Sequence, residues 1–445
     1  MTWKLFPSRR AGSAEHGGKR KKWLWAPAAA VVLCAAGFLF FVRDPAPVQA
    51  KENLMEGVAP AKTASADQPD ADFIASQEDF SVGLLRKTYQ AGKNVLVSPA
   101  SVSLALGMTA NGAQGGTLKE FEDVLGGGMN LDALNKNLAA EQAALHAAAE
   151  GKLQLANSIW YRDKNLTVFR PFLQANADYF GAGAFQLDFS NPETPKKINA
   201  WVEKNTDGKI KNMLEKIDSS TVMYLINTLY LEQDWQTPYS GSSDSVFHAP
   251  GGDRNVKVMH SMETYLQGEG AKGILKPLKD PRYAFAAILP DEGALSDYPN
   301  AGALLGDYVS GLTGKKLLSL LRSAGDERAS ASLPKFKFDC SVSLKDTLKS
   351  MGLSDAFDGN KADFSAMGTS PDGNLFIGDV LHKTFIEVDE LGIKAGAATS
   401  VRMDTSSAPS RYVVFDRPFL FAVVDTQTFL PVFLGTVEDP GTADS

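Results

Sequence analysis

The sequence predicts an α+β fold. From Asp72 onward, segments with helical spacing come first and strand-like segments dominate the second half. The two kinds do not alternate as strand–helix–strand units, which argues against a doubly wound sheet. Composition agrees with a folded body: 44% of the 445 residues are hydrophobic and 22% charged, which excludes a mostly disordered chain and a polytopic membrane protein. At roughly 150 residues per domain the length suits two or three domains, or one large mixed domain.

The elements follow in chain order. Residues 1–22 form a basic leader with Lys4, Arg9, Arg10, Lys19, Arg20, Lys21 and Lys22 against Glu15 alone. Trp23 to Val42 is an uncharged, mostly apolar run long enough to span a bilayer. The positive charge before it places the N-terminus in the cytoplasm and the body outside. A cleaved signal peptide is the rival expectation, with Val48-Gln49-Ala50 as the small-residue site near Ala50. Residues 43–71 carry no periodicity and read as a flexible tether. The body covers residues 72–440. Phe73, Ile74, Phe80, Leu84 and Leu85 set the first helix, and Asn94–Val97 a short strand. Ser98-Pro99 reads as an N-cap with proline at the first helical position, opening a helix to about Asn111. Thr117-Leu118-Lys119-Glu120 reads as a capping box, and Gly126-Gly127-Gly128 as the end of that helix. Residues 131–149, 168–179 and 194–206 are expected as helices and Leu153–Tyr161 as a strand. Val222–Leu231 is apolar almost throughout, as in a strand buried on both faces. Further strands are expected at Tyr283–Leu289, Ala331–Phe338, Lys383–Glu390, Tyr412–Phe415, Phe419–Asp425 and Phe429–Val437. One helix is expected at about Ser343–Met351.

Charge and motifs exclude most function classes. Residues 1–50 hold eight basic and two acidic residues, leaving a body of net −13 (37 basic against 50 acidic). Such a body is unsuited to nucleic acid or anionic lipid. Two cysteines, Cys34 and Cys340, make neither a disulfide scaffold nor a metal site. No metal or other cofactor is expected. His16, His146, His248, His260 and His382 form no zinc-protease pattern, and neither a nucleophile elbow nor a P-loop is present. Gly268-x-Gly270-x-x-Gly273 matches a dinucleotide fingerprint, but Ile274-Leu275-Lys276-Pro277 follows it where a helix would be needed. It reads as a turn between strands.

Several motifs in order then carry a family resemblance. They are Asn94-Val95-Leu96-Val97-Ser98-Pro99-Ala100-Ser101; Asn227-Thr228-Leu229-Tyr230 with Trp235 and Pro238; Leu333-Pro334-Lys335-Phe336-Lys337; and Asp355-Ala356-Phe357 with Ala362-Asp363-Phe364-Ser365. Near the C-terminus come Asp416-Arg417-Pro418-Phe419-Leu420-Phe421 and Phe433-Leu434-Gly435. Through them the body resembles a serpin over about residues 72–440. The resemblance implies a serpin fold, with large mixed sheets surrounded by helices and an exposed reactive-centre loop near the C-terminus. It implies no enzyme but an irreversible suicide-substrate inhibitor of serine proteases, or of cysteine proteases. The cleaved loop enters the main sheet and traps the acyl-enzyme; loop insertion of this kind is a known serpin property. The alternative is a non-inhibitory serpin-fold protein used for binding or as a chaperone.

The loop is expected after Glu390-Leu391-Gly392 and ends near Tyr412. Ile393, Ala395, Ala397, Thr399 and Val401 alternate with Lys394, Gly396, Ala398, Ser400 and Arg402. The first set suits burial and the second holds both charges, a division that a strand needs and an exposed loop does not. The resemblance makes Glu390, Gly392, Ile393, Ala395, Gly396, Ala397, Ala398 and Thr399 the hinge. Two residues depart from the family pattern: Ile393 stands where a small hydroxyl residue is usual, and Lys394 where an acid is common. Counting from Gly392 puts the reactive bond after Ser406, and counting back from Pro418 puts it after Ser407. Ser406–Ser407 is favoured, with Thr405 beside it. Small residues there suit a protease with elastase-like or subtilisin-like specificity. By resemblance Ser98, Ser101, Asn227 and His382 form a shutter under the sheet, and Trp235 marks the breach where the loop enters. The Ser98, His382 and Asp379 set reads as part of that network, not as a catalytic triad. The expected partner is a target serine protease, with no nucleic acid, membrane contact through Trp23–Val42 if uncleaved, and a monomeric body. The expected location is extracytoplasmic: membrane-anchored with a cytoplasmic N-terminus, or secreted or periplasmic after cleavage.

Overall fold

A computed structural model describes residues 52–61, 68–147, 152–217, 221–291, 300–393 and 411–441. All lie in one compact unit, Pro45–Ser445. The apolar run Trp23–Val42 falls outside the described residues, among which no helix is long and apolar enough to cross a membrane.

The first half holds α1 (Ala71–Thr88), β1 (Val95–Val97), α2 (Pro99–Ala110), α3 (Gly115–Gly126), α4 (Leu131–His146), β2 (Lys152–Arg162), β3 (Thr167–Val168), α5 (Arg170–Tyr179), β4 (Gly183–Leu187), α6 (Thr194–Asn205) and β5 (Met223–Asp234). The second holds β6 (Ser242–Ala249), β7 (Gly252–Gly268), β8 (Ala271–Pro277), β9 (Tyr283–Pro290), α7 (Ala301–Gly311), α8 (Gly314–Leu321), β10 (Arg328–Pro334), β11 (Phe336–Ser343), α9 (Lys345–Ser350), β12 (Gly368–Thr369), β13 (Asp379–Val388), β14 (Gly392–Ile393), β15 (Tyr412–Val414), β16 (Phe419–Asp425) and β17 (Pro431–Val437). Helix-rich then strand-rich is the observed α+β order.

Two sheets build the core. A six-stranded sheet runs β11-β13-β14-β5-β2-β4, and a nine-stranded sheet runs β1-β17-β16-β9-β8-β7-β10-β15 with β6 also on β7. β3 and β12 make a separate pair. α2 is buried along its whole length, which is why its sequence is apolar all round instead of on one stripe. Ser98 caps it by accepting a hydrogen bond from the Ser101 N–H, with Pro99 in the first turn, as expected. The trio of glycines ends α3 in a Schellman arrangement: Gly127 has φ 60°, and the N–H groups of Gly127 and Gly128 reach Asp123 O and Glu122 O. The Gly268–Gly273 segment is the turn of the β7–β8 hairpin, with Gly270 at φ 71°.

Four expectations need correction. Thr117 and Glu120 do not form a capping box, because α3 already starts at Gly115. Instead the Thr117 hydroxyl accepts from the Asp363 N–H, and Glu120 accepts from the Asp355 N–H and the Ser354 hydroxyl. The span Ala331–Phe338 is two strands in different sheets, since the chain leaves β10 at Pro334 and enters β11 at Phe336. Strand β13 begins at Asp379, four residues before the expected Lys383, because Asp379–Thr384 are recruited beside β5. Finally, part of the expected flexible tether is held against the body. Leu54 N–H donates to Ala184 O on the outer strand β4, Glu52 pairs with Lys197 at 2.8 Å, and Gln174 and Arg170 on α5 bond Ala59 O and Gly57 O. Leu54, Met55 and Val58 pack on the core.

Candidate functional site in the seam of the six-stranded sheet

The distinctive feature of the six-stranded sheet is its middle. β5 and β13 are parallel, with Tyr224 opposite Asp379 and Leu229 opposite Thr384. Above that stretch they are separated by β14, which runs antiparallel to both. Ile393 lies opposite Gln233 on one side and Val388 on the other. Val388 is 155 positions after Gln233, and Asp379 is 155 after Tyr224. The two flanking strands therefore keep one register whether they touch or hold a strand between them. A further strand can enter the seam by sideways separation, without either neighbour sliding.

Below β14 the seam is pinned by buried polar side chains. Ser98, Ser101, Asn227 and His382 are at most 1% exposed, and the structure brings all four together. One rung of the sheet carries Asn157, Asn227 and His382 side by side. His382 Nε2 accepts the Ser98 N–H at 3.0 Å, so the ring proton sits on Nδ1 and donates to Asn227 Oδ1 at 2.7 Å. Asn227 Nδ2 in turn donates to Ser101 Oγ and to Asn157 Oδ1 at 2.7 Å. The Ser98 hydroxyl donates to Val432 O at 2.8 Å, which ties β17 to the cluster. Burial pushes the His382 pKa down to about 3. The neutral imidazole is the form this network requires. Asp379 takes no part: its carboxylate accepts from the Ser343 hydroxyl and the Val380 N–H. His382 also faces the Ser98 N–H and not the hydroxyl, so no catalytic triad is assembled.

Above β14 the chain turns tightly. Asp389 Oδ1 accepts the N–H groups of Leu391 and Gly392. A Cβ on Gly392 would stand 2.1 Å from Gln233 O, so only glycine lets this strand approach β5. Trp235, 1% exposed, holds the turn twice: its N–H donates to Leu391 O and its indole Nε1 to Asp389 O, both at 2.8 Å. The Tyr239 N–H takes Glu390 O at 2.9 Å. Glu390 pairs with Lys335 at 2.9 Å and accepts from the Ser242 hydroxyl, contacts that hold its pKa below the usual value against the opposing effect of burial. Beneath Trp235, Lys276 and Glu263 form an ion pair at 2.6 Å, each at most 5% exposed, and the ammonium sits 4.2 Å from the Tyr239 ring centroid.

Of the expected site residues, Glu390, Gly392, Ile393, Trp235 and the four pinning residues are placed around this seam. Ala395, Gly396, Ala397, Ala398, Thr399, Thr405, Ser406 and Ser407 lie outside the described residues. Sequence reasoning missed Asn157, Asp389, Lys335 and Lys276. Asn157 left a signal, a polar side chain within the buried strand segment Ala156–Tyr161. Asp389 acts locally, as an Asx turn into Leu391-Gly392, and its signal is the acid three residues before that glycine. Lys335 and Lys276 left none, because each acts through a carboxylate on another strand or turn, Glu390 and Glu263.

A family model described as Serpin (serine protease inhibitor) matches residues 75–440. A "Serine protease inhibitor" from Cyanea capillata is 34% identical over 364 residues, covering 79% of this chain and 93% of its own. Serpin B3 from Homo sapiens is 29% identical, covering 78% and 94%. Among solved structures, the thermophilic serpin Tengpin in its native state superposes with a TM-score of 0.81 at 40% identity, covering 87% of this chain and 99% of Tengpin. Tengpin in its latent state gives 0.72 at 39% identity, covering 83% and 98%.

Proposed function

The chain belongs to the serpin family, most of whose members are protease inhibitors and not enzymes, and from that premise we propose that it is a suicide-substrate inhibitor of serine proteases. Its target cleaves between Ser406 and Ser407 and is held as an acyl-enzyme while residues after Ile393 enter the seam between β5 and β13. The observation that carries this reading is the common register of Gln233 with Val388 and of Tyr224 with Asp379. The seam is built to receive a strand antiparallel to both neighbours, and Gly392–Ile393 are its first two residues.

Side-chain parity supports the same reading. On β13, Val380, His382, Thr384, Ile386 and Val388 are buried and the residues between them are only partly so. Continuing the pairing of Ile393 puts Ala395, Ala397, Thr399 and Val401 opposite Ile386, Thr384, His382 and Val380. These are the residues of the loop suited to burial. Ile393 is already 2% exposed among core residues. Its departure from the usual small hydroxyl residue is accommodated by an apolar site.

The small residues around Ser406 favour a protease with elastase-like or subtilisin-like specificity. The leader and apolar run favour an inhibitor outside the cytoplasm, held by Trp23–Val42 or released near Ala50. Incubation of the full chain with elastase and with subtilisin, followed by denaturing electrophoresis, tests the function. A complex that survives boiling and whose peptide fragment starts at Ser407 is the expected result. Cleavage without a complex, and with no gain in thermal stability, overturns inhibition and leaves a serpin-fold binding protein.

A further inference from the structure

Among the described residues, one rung of the six-stranded sheet is charged and has a gap in it. On β2 and β5, Lys152 lies opposite Glu232; on β11 and β13, Lys337 lies opposite Glu387. The order across the sheet is therefore Lys152, Glu232, gap, Glu387, Lys337. Glu232 has its Oε2 bonded by the Tyr230 hydroxyl at 3.0 Å. Glu387 Oε2 stands 3.4 Å from Lys337 Nζ, and among the described residues it is buried without a hydrogen bond. Glu232 and Glu387 are the positions immediately below Gln233 and Val388, the two partners of Ile393.

We propose that the gap is a receptor for the ammonium of Lys394. This inference rests on the insertion reading above and specifies its register and electrostatics. Ile393 is the last described residue before the loop, and it sits at the top of the seam with both neighbours assigned. One residue further, in unchanged register, Lys394 falls opposite Glu232 and Glu387 together. Directly opposed residues of neighbouring strands project to the same face with Cβ atoms about 5 Å apart. The rung then alternates in sign along five strands: Lys152, Glu232, Lys394, Glu387, Lys337. The same pairing carries Arg402, the other cation of the loop's solvent-facing set, to Asp379 at the lower end of β13. Both cations of residues 393–402 thus meet carboxylates. The match also accounts for the family departure at this position. An acid at 394 would place three carboxylates side by side, whereas the lysine completes the row.

The test compares wild type with Lys394→Glu, Lys394→Gln and the double variant Lys394→Glu with Glu387→Lys. Each full chain is measured intact and after cleavage in the loop, with thermal midpoints read at low ionic strength in a fixed concentration of urea, an uncharged denaturant, that brings the cleaved form into range. The expected result is that Lys394→Glu lowers the cleaved-form midpoint by roughly 2–4 °C, with a smaller drop for Lys394→Gln. High salt shrinks the difference, and the double variant recovers part of it. If wild type gains stability on cleavage but Lys394→Glu gains equally, insertion stands and the charged receptor is refuted. A wild type that gains nothing on cleavage refutes the insertion reading itself.

Discussion

His382 makes the stability of the central sheet depend on pH in a calculable way. Its ring is buried, accepts the Ser98 N–H at Nε2, and has a pKa near 3 in the folded state. The unfolded chain has an ordinary histidine, with a pKa of about 6.5. A folded pKa below the unfolded one means that the unfolded state binds the proton first as pH falls. The favourable contribution is fully present above about pH 6.5 and is lost progressively down to about pH 3. Between pH 7 and pH 5 the loss is about 2 kcal/mol, nearly all of it below about pH 6.5. Replacing His382 with Gln removes this titration, so the stability difference between the two proteins isolates it from every other group. Guanidinium unfolding at pH 5, 6, 7 and 8 provides the measurement. The wild-type advantage should shrink by about 2 kcal/mol from pH 7 to pH 5. Curves that stay parallel within about 0.5 kcal/mol, a spread usual for independent effects, would falsify the neutral, Nδ1-protonated ring.

Three further outcomes follow from the same contacts. Asn227→Ala strands the buried groups of Ser101, Asn157 and His382 and should cost about 2–4 kcal/mol in equilibrium unfolding, whereas a cost under about 0.5 kcal/mol would mean that the cluster is not a network. Glu141→Gln should act only at higher pH. Burial, helped by Asp425, raises the Glu141 pKa to about 8, so its folded carboxyl is favourable at low pH and its contribution is lost as pH rises from about 4.5 through 8. The variant should match wild type near pH 4.5 and exceed it at pH 9, and equal midpoints at pH 9 would refute a neutral buried acid. On the proposed insertion, Ala397→Arg would put a guanidinium opposite Thr384 and Leu229, both fully buried, and should turn the proposed covalent inhibitor into a cleaved substrate on denaturing gels. Retention of the full yield of complex would refute the inward parity of Ala397.

Much of the fold and part of the site were legible in the sequence. The Ser98-Pro99 start of α2, the glycine end of α3 and the apolar run of β5 are local signals, because capping, positive φ and continuous burial depend on neighbouring residues. Thr117-Leu118-Lys119-Glu120 misled for the opposite reason. Its side chains satisfy groups more than 200 positions away in sequence, and nothing local marks such a choice. The span Ala331–Phe338 looked continuous because alternation carries no label for which sheet a strand joins. The docked segment 52–61 has no periodicity because it lies against the edge of β4 and the surface of α5 as a strap.

By itself the sequence determined the α+β class, the family motifs and the alternation of small and charged residues after Gly392, since composition, order and period two are properties of a single strand. Only the tertiary structure decided that Gln233 and Val388 flank Ile393 with the offset that also relates Tyr224 to Asp379. It also decided that, among the described residues, Glu232 and Glu387 flank the seam with no strand between them, and that Asn157 joins His382 and Asn227 on one rung. Each of these is a relation between strands far apart in the chain. Hydrogen-bonded register, which fixes such relations, is set by the assembled sheet and not by any one segment.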